Sequence, residues 1–419
     1  MRVLDVNFFT SNAAIAVYIS IFALLIVVIA FTTLLDIKKK SNFRKQNKLE
    51  NAEKEKSGKK TRFPELTEFD HNHKTFEEEP TDEGLTLKSL CEGFRNYAAK
   101  ELKLYYSIAD IRKFIASFAV SKIMILQGMS GTGKTSIAVA FGKYINNHSA
   151  VVPVQPMWKE RSDLLGYYNE FTGKFNETVI LEKLYEANFS NKMFVIVLDE
   201  LNIARVEYYF SEFLSLLELP ETSVRQLVVA AAGASGDPKK MSHGKIDLPT
   251  NVWFLGTANN DDSTFAISDK VYDRAMVMNL NNRAEPFSVN EETKTIHISC
   301  DYFFKMVEEA KANIKLSDEG RKKIHDLDSY LVEKFHVTFG NRIMMQIDKY
   351  VPAFVACGGS EIEALDDIIS KKILRKLESQ NPVYVRNNSE ELIARLDEIF
   401  GQDAMENCID YIRKISNNG

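Results

Sequence analysis

The chain has 419 residues, 45% of them hydrophobic and 26% charged, with a formal net charge of −5. That length accommodates two or three domains with a sizeable core, and the charge excludes the bulk positive field of a whole-chain nucleic-acid binder, leaving direct DNA contact as a local matter only. The four cysteines, Cys91, Cys300, Cys357 and Cys408, form no Cys-x-x-Cys pair, which argues against a zinc ribbon or a disulfide scaffold and for free thiols in a reducing compartment.

After a short tail, residues 1–12, the stretch 13–35 carries no charge, and about 20 apolar residues suffice to cross the hydrocarbon core as a helix. It is predicted to be an uncleaved single-pass anchor, being too long for a signal-peptide apolar region and lacking a small-residue cleavage site before its charged flank. Lys38, Lys39, Lys40, Arg44, Lys45 and Lys48 follow it, whereas only Arg2 and the amino terminus oppose Asp5 on the other side. The excess of basic residues places the remainder on the cytoplasmic side of the cell membrane. Residues 36–84 are basic as far as Arg62 and acidic from Glu65 to Glu83, and read as a charged linker. Its basic half either lies on anionic lipid or is simply solvated. His71-Asn72-His73 within it spells the name of a nuclease motif, but two histidines in a polar linker hold no metal by themselves, and no function is assigned to them.

Helical periodicity begins near Leu85 and continues through Ile108, Ile111, Phe114, Ile115 and Phe118. The apolar run Ile123 to Leu126 is predicted to be a buried strand. Directly behind it, Gly128-Met129-Ser130-Gly131-Thr132-Gly133-Lys134-Thr135 fits G-x-x-x-x-G-K-[ST] at every fixed position, and Ser136 opens a helical run. Strand, loop and helix in that order make a phosphate cradle: glycines let backbone N–H groups turn inward at a helix N-terminus whose dipole favours an anion. Gly128, Ser130, Gly131, Thr132, Gly133, Lys134, Thr135 and Ser136 are the candidate nucleotide-binding residues. Lys134 is expected on the β- and γ-phosphates and the Thr135 hydroxyl on Mg²⁺.

Residues 150–154 read as a second strand and 193–198 as a third, which delivers Asp199-Glu200 at its carboxyl end, where open α/β sheets bind ligands. Asp199 is the candidate to hold Mg²⁺ through its waters, and Glu200 to polarise the attacking water. A fourth strand, 252–257, runs into Asn259-Asn260, and a fifth, 276–280, follows Asp273-Arg274. On position alone an Asn and an Arg beside strands carry no assignment. The C-terminal part is patterned as helices at 308–314, 327–335, 343–350 and 392–412.

From about Asp110 to Leu377 these residues resemble the AAA+ NTPases, and specifically the McrB-like branch, the motor subunits of modification-dependent restriction systems. Trp158 to Asn169 is similar to that branch's W-x-(D/E)-x-x-D-L-x-G-Y-x-N signature, Asp199-Glu200-Leu201-Asn202 with Phe210 to Glu218 to its extended Walker B region, and Asn251 to Asn259 to its sensor 1 strand. The resemblance implies an AAA+ core of α/β class at 85–283, with a parallel sheet flanked by helices, and a helical lid at 284–419. It implies sensor 1 at Asn259, an arginine finger acting in trans at Arg274 and sensor 2 at Arg342, in a homo-oligomeric, hexameric ring that hydrolyses ATP with Mg²⁺. It also implies a McrC-like nuclease partner.

Three features depart from the family pattern: Ile203-Ala204-Arg205 stands where many members place Arg directly after the Walker B Asn, a DNA-reading N-terminal domain is replaced by anchor and linker, and Asn259-Asn260-Asp261-Asp262 differs from the GTP-using prototype. ATP is therefore expected, with GTP as the alternative. A MoxR-like remodelling chaperone and a catalytically silent nucleotide-binding scaffold are the competing roles; Glu200 and Arg274 speak against the scaffold.

Overall fold

The computed structural model describes residues 61–73, 75–219, 225–259, 264–281 and 284–417. The expected anchor at 13–35, the linker as far as Lys60, and Asn260, Asp261 and Asp262 lie outside the described residues. Among the described residues no helix is long and apolar enough to cross a membrane.

The expected linker does not extend to residue 84. Helix α1, Pro64–Asn72, starts with Pro in its first turn, and Phe63 and Leu66 are fully buried. Phe63, Leu66 and Phe69 recur every three residues and make an apolar stripe among the carboxylates that masked it in the composition. Asp70 is buried within this packing, accepting hydrogen bonds from the Tyr185 hydroxyl (2.8 Å) and the Lys239 amide (2.7 Å). The compact unit therefore begins at Thr61.

Helices α2, Leu87–Leu102, and α3, Ile108–Val120, begin at Thr86 and Ser107, whose side chains cap them. They lead into β1, Ile123–Gln127, then α4, Lys134–Tyr144, and β2, Ala150–Pro153. A short helix α5, Arg161–Leu165, and a hairpin of β3, Gly166–Asn169, with β4, Lys174–Glu177, precede α6, Val179–Ala187, and β5, Phe194–Asp199. Two short helices, α7 (Val206–Tyr209) and α8 (Ser211–Leu216), and a small sheet of β6 (Gln226–Val228), β7 (Met241–Ser242) and β8 (Lys245–Asp247) follow. The core closes with β9, Val252–Ala258, α9, Asp269–Tyr272, and β10, Met276–Asn279.

The main sheet has the order β10-β1-β9-β5-β2, every neighbouring pair parallel. These are the five strands that the apolar runs predict. Their near-continuous apolar character has a physical cause: both faces are covered, so alternation has no solvent side to mark. Met124, Leu126, Trp253 and Leu255 enter one core, which includes the lid, whereas Ile123, Ile125, Val252 and Phe254 enter a second on the opposite face.

The C-terminal part, expected as the lid, is helical as its patterning predicts: α10 (Cys300–Asn313), α11 (Asp318–Phe335), α12 (Asn341–Ala356), α13 (Glu361–Lys372), α14 (Pro382–Asn387), α15 (Ser389–Phe400) and α16 (Glu406–Asn417). The expected run 392–412 is two helices, parted at Gly401, whose φ of 111° suits glycine. A buried charge cluster joins lid to core. Asp367 of α13 pairs with Lys371 and, from α3, with Lys113 at 3.4 Å, and accepts from the Tyr350 hydroxyl at 2.7 Å.

Burial alone pushes the Asp367 carboxyl up, but Lys371 and Lys113 outweigh it and hold its pKa below the ordinary value. Removing one member of a buried ion cluster strands the others, so Asp367→Ala is expected to cost ~3–5 kcal/mol. Because the folded pKa is depressed, the contribution is complete above the unfolded value of about 3.9 and lost as pH falls through the folded pKa. Thermal denaturation should show a wild-type advantage that is constant near neutrality and shrinks in acid.

Candidate nucleotide-binding site

The phosphate loop joins the carboxyl end of β1 to the amino end of α4. Two of its glycines are required by geometry. Gly128 has φ 148°, and a Cβ there would lie 2.2 Å from the Leu280 carbonyl oxygen; Gly133, with φ 94°, is held from below by the Tyr106 hydroxyl, which donates to its carbonyl at 3.2 Å. Burial raises the Tyr106 pKa above its ordinary value. Lys134 is buried, and its Nζ donates to the carbonyls of Gly128 (2.9 Å) and Met129 (2.7 Å). The ammonium is thus coiled under the loop that it would leave for a phosphate.

Register brings the carboxylates to the same end. With Leu198 level with Gly256, the next residues, Asp199 and Thr257, face one another across the β5 and β9 ends. Asp199 Oδ1 accepts from the Thr135 hydroxyl at 2.7 Å and the Thr257 hydroxyl at 2.8 Å, and Thr257 Oγ1 in turn accepts from the Glu200 amide at 2.8 Å. Glu200 itself sits in the left-handed region, φ 55° and ψ 46°. That conformation is uncommon for a non-glycine residue and concentrates at functional sites.

Asn259 is held by its backbone. The Asn202 side-chain amide donates to the carbonyls of Asn259 (3.0 Å) and Phe265 (3.2 Å). The side-chain oxygens of Asn202 and Asn259 are both buried without a hydrogen-bond partner. Orphaned acceptors of this kind are expensive unless a water or ligand donates to them. They line a cavity of about 360 Å³ with Gln127, Gly128 and, from the lid, Lys371, Arg375 and Lys414. The donor set suits Mg²⁺: a hydroxyl and a carboxylate, hard oxygen ligands, meet where phosphates would complete the shell. Among the described residues no group of three or more His, Cys, Asp or Glu could hold a metal by itself.

Arg274 and Arg342 are elsewhere. Met124 is level with Met276, which puts Arg274 beside the start of β1, and the Ser121 hydroxyl donates to its carbonyl at 2.7 Å. Both guanidiniums grip Glu218, Arg274 on Oε2 and Arg342 on Oε1 at 2.6 Å. They line a second cavity of about 630 Å³ with Lys122, Asp273 and Lys349, at the amino ends of the strands. The structure thus gathers the phosphate loop, Asp199, Glu200 and Asn259 at one end of the sheet and Arg274 with Arg342 at the other.

The segment Trp158 to Asn169 also stays away from the nucleotide cavity. Asp163 accepts from the Lys159 and Glu160 amides, Gly166 has no room for a Cβ, which would lie 1.9 Å from the Asn176 carbonyl oxygen, and Asn169 shapes the hairpin turn through the Phe171 and Thr172 amides. These residues build the α5 and hairpin insertion. Sequence reasoning missed Thr257, Tyr106 and the lid cations of the cavity; Thr257 alone left a signal, as a hydroxyl at the end of an apolar strand.

Residues 123–275 match the family described as AAA domain (dynein-related subfamily), and residues 294–419 match a domain of unknown function, DUF8727. No curated protein matches the chain in sequence. Among solved structures, a “putative ATPase” from Cytophaga hutchinsonii is similar at 14% identity, covering 68% of this chain and 83% of its own, with a TM-score of 0.42. A full-length MCM homolog from Methanopyrus kandleri is similar at 10% identity, covering 67% of this chain and 59% of its own, with a TM-score of 0.37.

Thr257→Val removes the hydroxyl that orders Asp199 and Glu200 while keeping the shape. It strands the Glu200 amide, at ~1–3 kcal/mol. Nucleotide turnover should fall more than nucleotide affinity, and Thr257→Ser should restore it. Equal loss of both would show that Thr257 serves the fold rather than the carboxylates.

Proposed function

Starting from an AAA+ NTPase domain at residues 123–275, we propose that this chain is a Mg²⁺-dependent ATPase motor whose active sites are each completed by a second copy in a ring. One observation carries the reading. A phosphate loop with its carboxylate pair stands at one end of a parallel sheet, and a pair of arginines stands at the opposite end. Strand β1 separates them, and five residues at about 3.3 Å each span roughly 17 Å. A side chain does not bridge that distance, so Arg274 serves another subunit's nucleotide. A contact of one copy's carboxyl end with the next copy's amino end is heterologous, the kind of contact that makes a ring where the rotation between copies closes.

In the proposed mechanism the loop amides and Lys134 bind the β- and γ-phosphates, with Lys134 exchanging the Gly128 and Met129 carbonyls for phosphate oxygens. Bound Mg²⁺, held by Thr135 and by Asp199 through water, would neutralise the charge between those phosphates. Glu200 orients and deprotonates the attacking water, and the orphaned Asn259 amide oxygen accepts a hydrogen bond from that water or from the ligand. Arg274 of a neighbour neutralises charge on the transferred phosphoryl group, a contribution worth ~10³ to 10⁵ in turnover where such fingers act.

For the driven partner we keep the McrB-like reading, a cytoplasmic motor coupled to a McrC-like nuclease. Its support is the segment Trp158 to Asn169 and the ordered motifs through Asn259. Anchoring rests on the uncharged residues 13–35 and the lysines behind them. The protein should remain in the membrane fraction after an alkaline carbonate wash, with residues beyond 36 protected from protease added outside intact cells. Digestion from outside would reverse the topology.

Glu200→Gln should bind ATP as the wild type does and lose turnover by about 10²- to 10⁴-fold. Lys134→Ala should lose binding itself. Equilibrium binding and steady-state hydrolysis, run in parallel with GTP, separate the two and fix the base preference. A Glu200→Gln protein that hydrolyses at the wild-type rate sinks the mechanism.

A further inference from the structure

The cavity at the amino ends of the strands is built for an anion, and in the single chain it holds one of its own. Its lining carries Lys122, Arg225, Arg274, Arg342 and Lys349 against two carboxylates, Glu218 and Asp273. The arginines come from different parts of the chain, Arg274 from the turn before β10 and Arg342 from the first turn of α12 in the lid, yet they converge on one carboxylate. Each oxygen of Glu218 takes one guanidinium, Oε2 from Arg274 and Oε1 from Arg342 at 2.6 Å. The arrangement leaves donors over: Arg274 Nε is buried and has no hydrogen-bond partner. A phosphoryl group offers more acceptor oxygens and more charge than a carboxylate, and forked guanidinium groups match it.

We infer that Glu218 is a place-holder for the terminal phosphate of a neighbouring subunit, positioning Arg274 and Arg342 together in the unassembled chain and releasing both when a copy's ATP docks. Arg342 then acts in trans beside Arg274 rather than on the phosphate loop of its own chain. The lid side of the turn is fixed for this exchange. Lys372 Nζ donates to the carbonyl of Tyr272 at 2.7 Å and to that of Ala275, and the Gln346 amide donates to the carbonyl of Asp273 at 3.0 Å. The backbone that carries Arg274 is therefore clamped from α12 and α13, and only the side chain has to change partner. Glu218 is a positioning residue, since it acts through the two guanidiniums that it holds.

This inference rests on the reading of Arg274 as a finger acting in trans, and the test separates the two. ATP hydrolysis per subunit is measured against concentration of the full-length chain, with assembly followed by mass photometry in the presence of ATP. Glu218→Gln keeps the size and removes the charge, so assembly no longer competes with two charge-assisted pairs. The protein concentration giving half-maximal turnover is expected to fall by about tenfold, with the assembled fraction shifting in step. Glu218→Ala should shift it in the same direction, and Glu218→Gln combined with Arg274→Ala should assemble without turning over. An unchanged or raised half-maximal concentration for both Glu218 variants, with Arg274→Ala still inactive, overturns the place-holder and leaves the finger standing. Arg274→Ala retaining turnover overturns both.

Discussion

The site depends on one geometric constraint, the fixed separation of the two ends of a parallel sheet. Parallel pairing sends every loop that follows a strand to the same end. The loop after β1, the Asp199-Glu200 step after β5 and Asn259 after β9 therefore converge without further design. The same pairing sends every residue that leads into a strand to the opposite end, and Arg274, two residues before β10, goes there. Register fixes the details. Leu198 beside Gly256 brings the Thr257 hydroxyl to Asp199, and the bond from Thr135 closes the set.

The lid bears on both ends. Lys371 and Arg375 line the nucleotide cavity, while Lys372, the next residue on α13, reaches the carbonyls around Arg274. Lys372 is wholly buried, and desolvation brings its pKa down to about 7. Such burial costs stability below that pH and less as pH rises from there toward the unfolded value near 10.4. The lysine sits where helix α9 ends, satisfying carbonyls that a helix terminus leaves open. One helix, α13, therefore touches both the nucleotide cavity and the backbone around Arg274.

Much of this was legible in the residues because the site is made of contiguous motifs at strand ends. The glycine-rich loop, Asp199-Glu200 and the five apolar runs each state their place locally, and the parallel sheet was implied by the resemblance that they carry. What was not legible is set by register or by long-range packing. Thr257 matters only because β9 lies beside β5 with Leu198 at Gly256; Glu218 matters only because two distant arginines meet on it. Helix α1 hid for a different reason. Its three apolar positions sit among carboxylates, so average composition reads linker where spacing reads helix, and the buried Asp70 partnered by Tyr185 deepened that misreading. The hairpin of β3 and β4 is too short and too polar to announce itself, although the turn residues Asn169 and Gly173 lie within it.

The most direct measurement is hydrolysis by mixtures of two variants expected to be inactive alone, Glu200→Gln and Arg274→Ala. On the proposed reading each lacks one half of a shared site, one at the carboxyl end of the sheet and the other at the amino end. In a mixed ring some interfaces pair an intact Glu200 with an intact Arg274 across two copies. Partial recovery of ATP hydrolysis on mixing, greatest near equal amounts, is the result this account predicts. Absence of recovery while mixed assemblies form would contradict it, because a site contained within one chain gains nothing from a neighbour.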